Sequence, residues 1–178
     1  MKRGFIWMIK LQELNVNDGE DIYSFLQTIN NNENEFKNDV FGMSFLDFKK
    51  WLINQTDIAN GINLPIGYVR QKIYWLLDSN VPVGFGKLRF GLTEQSRIEG
   101  GNIGIAISTN FRGKGYGKIL VKLLIEEARD NGITELLATV IKTNTPSIKS
   151  CLGNGGEIIK ETDKWVYISF DKVLNGGK

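Results

Sequence analysis

One stretch, Gly101 to Gly117, reading GNIGIAISTNFRGKGYG, constrains the fold of this chain more than any other. Its first half, Asn102 to Ser108, is apolar, partly β-branched and compact, as a buried strand is. Its second half, Arg112 to Gly117, places an arginine, three glycines, a lysine and a tyrosine in one short turn. The segment that follows, KILVKLLIEEARDNG, has helical periodicity and a Gly stop. The order strand, Gly-rich turn, helix aims several backbone N–H groups at one point beside the positive end of a helix. An anion, above all a phosphate or pyrophosphate, suits that position.

Known phosphate loops do not fit. The Walker A pattern needs four residues between its first Gly and the Gly-Lys pair, and Gly113 lies one residue too close to Gly117-Lys118. Ile119 also stands where a magnesium-binding hydroxyl belongs. The dinucleotide fingerprint needs Gly where this chain has Lys118 or Leu120, and an acid where it has Lys142. Histidine is absent and cysteine occurs once, which removes disulfide frameworks, Cys-cluster metal sites and Ser-His or Cys-His chemistry. A net charge of +2 offers no general attraction for nucleic acid or membrane surface. With 42% hydrophobic and 24% charged residues, the 178-residue chain is expected to fold as one domain spanning 1–178. The N-terminal run MKRGFIWMIKLQELN is broken by Lys10 and reads as a first strand, not a signal peptide. No run reaches membrane-spanning length, so a cytoplasmic protein is expected.

In order, Phe5 to Leu14 is expected to be a strand, and Asp18 to cap a helix running to about Asn30. Residues 30–43 read as a polar, mobile loop. Ser44 starts a helix with Phe45, Phe48, Trp51, Leu52 and Ile53 inward, ended by Asn60-Gly61. Tyr68 to Leu77 and Val81 to Phe90 form a hairpin, with Gly84 and Gly86 marking a bulge or a close backbone approach. Alternation puts Arg70, Lys87 and Arg89 toward solvent, while Trp7, Trp51, Trp75 and Trp165 read as core. Leu92 to Gly100 is a polar connection. The central strand and helix follow, then a strand over Thr134 to Ile141 and a short helix opened by Asn144-Thr145-Pro146-Ser147. Glu157 to Lys160 and Lys164 to Phe170 make a last hairpin, and the tail from Asn175 frays. The fold class is α+β: a mixed, mostly antiparallel sheet flanked by helices, with parallel pairing around the central helix.

The pattern Arg-x-x-Gly-x-Gly, from Arg112 through Gly115 to Gly117, resembles motif A of the GNAT superfamily, the Gcn5-related N-acetyltransferases. Asn144-Thr145-Pro146-Ser147-Ile148, ending at Gly155-Gly156, is similar to that family's Asn-x-x-Ser helix. GGNIG, RGKGYG and NTPSIK together resemble a bacterial subgroup of predicted, largely uncharacterised acetyltransferases. The resemblance covers residues 68–170 well and the N-terminal helices only by order. It implies the acyl-CoA N-acyltransferase fold and acetyl-CoA as co-substrate, with no metal. Gly113, Lys114, Gly115, Tyr116 and Gly117 would cradle the pyrophosphate, Arg112 would add a guanidinium fork, and Ile105, Ala106 and Ile107 would pair with the pantetheine amides. In the family this strand splays from the next, and a backbone N–H near Ile107 would polarise the thioester carbonyl. Asn144 would bond near the pantetheine arm.

The resemblance also implies direct transfer to a primary amine in a ternary complex. The acceptor is a small-molecule or peptide amine, and homodimers are common in the family. A base must take the amine proton. Glu99 is the first candidate and Glu94 the second, since they precede the central strand, although each also fits a solvated loop acid. Where the family often has a Tyr that protonates the leaving thiolate, this chain has Cys151, either a thiol donor or a small buried hydrophobe, with Tyr116 or solvent as substitutes. The subgroup tends to carry His where Asn102 stands. Phe41 to Phe45 would border the acceptor pocket by analogy. Two rival readings stay open: a non-catalytic acyl-CoA-binding or sensor domain, and an unrelated nucleotide-binding α/β protein.

Overall fold

Alternating apolar strands sort this chain into two sheets that meet at one point. The computed structural model describes residues 8–176. Its elements are β1 (Ile9–Glu13), α1 (Glu20–Leu26), β2 (Asn32–Glu33), β3 (Phe36–Lys37), α2 (Phe45–Asn60), β4 (Gln71–Asp78), β5 (Val81–Arg89), α3 (Glu94–Ile98), β6 (Ile103–Ile107), α4 (Tyr116–Asp130), β7 (Leu137–Ile141), α5 (Thr145–Leu152), β8 (Glu157–Glu161), β9 (Trp165–Ser169) and α6 (Asp171–Leu174). One sheet has the order β1-β4-β5-β6 and another β7-β9-β8, with β2 and β3 as a separate hairpin. Every recorded pairing is antiparallel.

The expected parallel pairing across α4 is therefore corrected. β6 and β7 touch only at their starts, where Asn102 N–H donates to Leu137 O at 2.7 Å and Leu137 N–H donates to Asn102 Oδ1 at 2.8 Å. The Asn102 side chain thus takes a bond that a second strand would otherwise take. Gly101 makes the approach possible: its φ is +58°, and a Cβ there would lie 2.4 Å from Leu137 O. Beyond this junction no ladder joins the two sheets, and β6 keeps an open edge.

The two faces of the first sheet bury different cores. Tyr74, Leu76 and Leu88 pack with α4, whose stripe of Tyr116, Leu120, Val121, Leu124, Ile125 and Ala128 is fully buried. Ile73, Trp75, Leu77 and Phe85 pack with α1 and α2. Gly86 lets α4 come close, since a Cβ there would stand 3.2 Å from Leu120 and Leu124 methyls, and the strand irregularity falls nearby at Leu76/Leu77.

Several local expectations change, each for a tertiary reason. Asp18 does not cap α1; Gly19 does, and Asp18 instead accepts from Asn15 N–H at 3.0 Å and from Trp75 Nε1–H at 2.7 Å. α1 stops at Leu26 because the chain turns to place Asn38, whose buried amide donates to Leu26 O and Ile29 O. The 30–43 segment is not a free loop: it carries the β2–β3 hairpin and buries Asn38 and Val40. On α2, Ser44 caps as expected, but Phe45 (37% exposed) and Ile53 (56% exposed) face outward, off the stripe of Phe48, Trp51 and Leu52. The 92–100 connection holds α3, closed by a reciprocal Thr93–Ser96 capping box. β7 begins at Leu137, and α6 precedes the tail. The Phe5–Trp7 part of the first strand and Lys178 lie outside the described residues.

Gly101→Ala should cost about 2–5 kcal/mol of stability, the sum of left-handed strain and a backbone overlap that a flexible side chain cannot relieve. Chemical denaturation checks this, and a loss under ~1 kcal/mol would show that the junction yields.

Candidate functional site

The open edge of β6 forms one wall of a cavity of about 410 Å³. The turn from Phe111 to Lys118 closes one end, the start of α5 at Asn144, Pro146, Ser147 and Ser150 forms the facing wall, and the hairpin from Glu33 to Phe36 with Ile29 covers the other side.

Two sets of backbone groups face this space. In the β5–β6 ladder, Arg89 N–H bonds Asn102 O and Ser108 N–H bonds Val83 O. Even-numbered residues therefore point to β5, and Ile105 and Ile107 point their amides to the open edge. Ala106 offers its surface but not its backbone, which narrows the expected Ile105–Ile107 pairing to its odd members. At the turn, none of the N–H groups from Gly113 to Lys118 has an acceptor among the described residues. Gly115 is the α4 N-cap at φ +87° with open space around it, so the left-handed turn requires a glycine although the space does not. The result is a ring of donors at the positive end of a fifteen-residue helix.

The charged groups are few. Arg112 folds back, its Nε–H donating to Ile107 O at 3.0 Å and its fork reaching both Glu33 oxygens at 2.7 and 2.8 Å. That guanidinium holds the Glu33 carboxyl below its usual range, and Glu33 in turn raises Arg112. Among the described residues Glu33 is the one carboxylate in the cavity lining. The sequence offered no sign of it, since residue 33 reads as part of a polar break. Its hairpin is fixed from several sides. Lys87 Nζ donates to Lys37 O at 2.6 Å, Glu35 pairs with Lys164 at 2.8 Å, and Phe36 packs edge-on against Phe85 and beside Gly104. Lys87 and Arg89 are thus not solvent-facing: burial pushes Lys87 down to about 8, and Arg89 donates to Gly100 O and Gly101 O.

Of the residues singled out from the sequence, Ile105, Ala106, Ile107, Arg112, Gly113, Gly115, Tyr116, Gly117 and Asn144 line the cavity together. Asn144 also caps α5, accepting from Ser147 N–H at 3.4 Å. Lys114 does not line it; its ammonium lies 5.2 Å above the Phe111 ring. Glu99 is exposed at the end of α3, bonded to Gln95 Nε2 at 2.8 Å, and neither it nor Glu94 reaches the lining. Cys151 is 3% exposed in the main core, where burial raises its thiol to about 12. Of its two readings the structure takes the packed one, because the inward face of α5 meets the core and not the cavity. Tyr116 presents its ring to the cavity but donates its O–H to Asp78, which raises the phenol pKa. Phe41 to Phe45 lie away from the lining.

The sequence profile described as the acetyltransferase (GNAT) family matches residues 35–151. Among solved structures, the ribosomal-protein-S5-alanine acetyltransferase of Vibrio fischeri superposes with a TM-score of 0.68 at 13% identity, covering 90% of this chain and 91% of that one. The Campylobacter jejuni N-acetyltransferase PseH in complex with acetyl coenzyme A gives 0.59 at 16% identity, covering 92% and 98%. The Salmonella typhimurium yncA, a putative acetyltransferase with its cofactor acetyl-CoA, gives 0.56 at 12% identity, covering 91% and 92%.

Two outcomes follow from the buried groups. Cys151 should resist a disulfide-exchange thiol reagent at pH 8 in the native protein and react fully once unfolded; fast native labelling would place the thiol at a surface. For Lys87, the folded pKa of about 8 lies below the unfolded 10.5. The unfolded chain therefore holds the proton more tightly, and the ammonium costs stability below pH 8. Relative to Lys87→Met, the wild type should gain stability as pH rises from 8 to 10.5. Parallel pH-resolved melts check this, and a flat difference would show a solvated ammonium.

Proposed function

The chain belongs to the GNAT acetyltransferase family, and from that premise we propose a single-domain, cytoplasmic N-acetyltransferase that moves the acetyl group of acetyl-CoA to a primary amine by direct attack in a ternary complex. One observation carries the reading. The outward N–H groups of Ile105 and Ile107 and a run of N–H donors at the turn open onto the same cavity, the order of partners that suits a chain with amides along its arm and a pyrophosphate at its end. Acetyl-CoA has that construction, and it supplies an acetyl group activated as a thioester.

Each residue then has a role of its own. The N–H groups from Gly113 to Lys118 bind the pyrophosphate, and Arg112 adds its fork. Ile105 and Ile107 hold the arm in register as an added strand would. The Ile107 N–H is the oxyanion donor at the carbonyl, and Asn144 closes the arm from the α5 side. Glu99, the first choice of base from the sequence, lies outside the cavity, so it is not carried forward. With Glu99 outside the cavity, water takes the proton that the ammonium must lose before the amine attacks, and with Cys151 buried and the Tyr116 O–H held by Asp78, water is also the proton source for the leaving thiolate. The burial of Cys151 and the engagement of Tyr116, which leave neither free to donate a proton, favour a second reading, an acyl-CoA-binding domain without turnover. No helix among the described residues is long and apolar enough to cross a membrane.

Calorimetric titration with acetyl-CoA, with ATP and NAD as controls, tests the reading. The wild type should bind acetyl-CoA selectively. Gly115→Val should bind about tenfold more weakly or worse while still folding, because the side chain has room but the left-handed turn does not tolerate it. Thiol release across an amine library then separates transferase from binding domain. Selective ATP binding, or an unaffected Gly115→Val, would overturn the assignment.

A further inference from the structure

We infer that Glu33 is the acceptor-recognition residue of this site: it pairs with Arg112, and it receives the acceptor's ammonium once phosphate has taken the guanidinium. The inference rests on the N-acetyltransferase reading above and deepens it by assigning the acceptor a charged amine and a named anchor.

The argument is a charge balance. Among the described residues the one lining carboxylate is paired with the Arg112 fork, 2.7 and 2.8 Å away. Arg112 also belongs to the turn whose N–H donors await an anion. A pyrophosphate seated there carries more charge than one carboxylate and offers the same bidentate geometry to the fork. Arg112 cannot serve both fully, and the anion with the ring of donors beneath it wins. Glu33 is then left without its counter-charge, beside new negative charge and with its side chain only 32% exposed. Such a carboxylate is unfavourable unless it protonates or finds a cation.

Among the described residues, no other side-chain cation is placed to replace it. Lys118, the other lining cation, has its ammonium beside Gly153 on the α5 side. Lys164 is engaged by Glu35. Nor does the backbone that carries Glu33 move off when Arg112 leaves. The base of its hairpin is held by the Asn38 amide on Leu26 O and Ile29 O, by Lys87 on Lys37 O, and by the Glu35–Lys164 pair at the turn. A primary amine arrives mostly as an ammonium at neutral pH, since its pKa is near 10. It fits the vacated position, and it does so only after the phosphate has bound. Acyl-CoA therefore binds first, and a neutral isostere of the amine is refused.

Glu33→Gln and Arg112→Gln test this by calorimetry, with CoA, n-butylammonium and n-butanol as probes. Glu33→Gln frees Arg112, so CoA should bind about twofold to fivefold tighter. The CoA-loaded wild type should bind n-butylammonium in preference to n-butanol, and CoA-loaded Glu33→Gln should lose about tenfold of that affinity. These opposite signs separate the inference from general damage, which would weaken both. Arg112→Gln should bind n-butylammonium without CoA, which the CoA-free wild type should not. Unchanged or weaker CoA binding by Glu33→Gln, or equal binding of n-butylammonium and n-butanol by the loaded wild type, would overturn the inference. Failure of the wild type to bind CoA at all would instead sink the acetyltransferase reading, and this inference with it.

Discussion

The site depends on one junction, the pair of hydrogen bonds between Asn102 and Leu137 that joins the two sheets and then stops. Had the ladder continued, β6 and β7 would share one sheet and the amides of Ile105 and Ile107 would be spent on protein. The side-chain carbonyl of Asn102 ends the pairing by accepting the bond from Leu137 N–H. Gly101 lets the backbones meet at that place only. An unpaired strand edge is ordinarily a hazard, open to any other strand. Here α5, the 112–118 turn and the β2–β3 hairpin surround it, so only something narrow can pair with it.

The electrostatics of the cavity are built on the same economy. Most of its polar capacity is backbone: N–H groups at the start of α4 and the odd-numbered amides of β6. Such donors carry no net charge, need no reorganisation and cost no side-chain entropy when a ligand arrives. Two of the formal charges near them are held by partners, Arg112 by Glu33 and Glu35 by Lys164. Lys87 shows the cost of fixing the hairpin that carries those carboxylates. Its amine is buried between Phe36 and Phe85 to reach one carbonyl, and its proton is loosened as a result.

What could be read from the sequence is whatever has a local cause. The 112–117 turn, the α4 stripe, the Ser44 and Asn144 caps and the two later hairpins each follow from residues within a few positions of one another. The family resemblance rests on the same local features. Glu33 was not legible, because its meaning comes from Arg112, far along the chain, across a hairpin with almost no apolar content. Lys87 and Arg89 misled because strand alternation assumes one wet face, and both faces of β5 are covered. Asp18 misled because a good capping residue found a better use on Trp75. The absent parallel pairing was a topological rule met by a local exception, a single asparagine side chain.

Glu99 and Cys151 show a different limit. Both were chosen by position relative to a motif, and motif position fixes the backbone but not the direction a side chain takes. Glu99 follows α3, a helix that turns it outward, and Cys151 lies on the face of α5 that meets Ile168 and Phe170 across the main core. The proton chemistry of this fold is therefore less tied to particular positions than its anion binding is. A cradle made of backbone must keep its turn wherever the turn occurs, whereas a proton can enter or leave by any group, or any water, that reaches the cavity. Among the described residues the lining holds one carboxylate, Glu33, paired with Arg112, and the rest of its polar surface is mostly backbone.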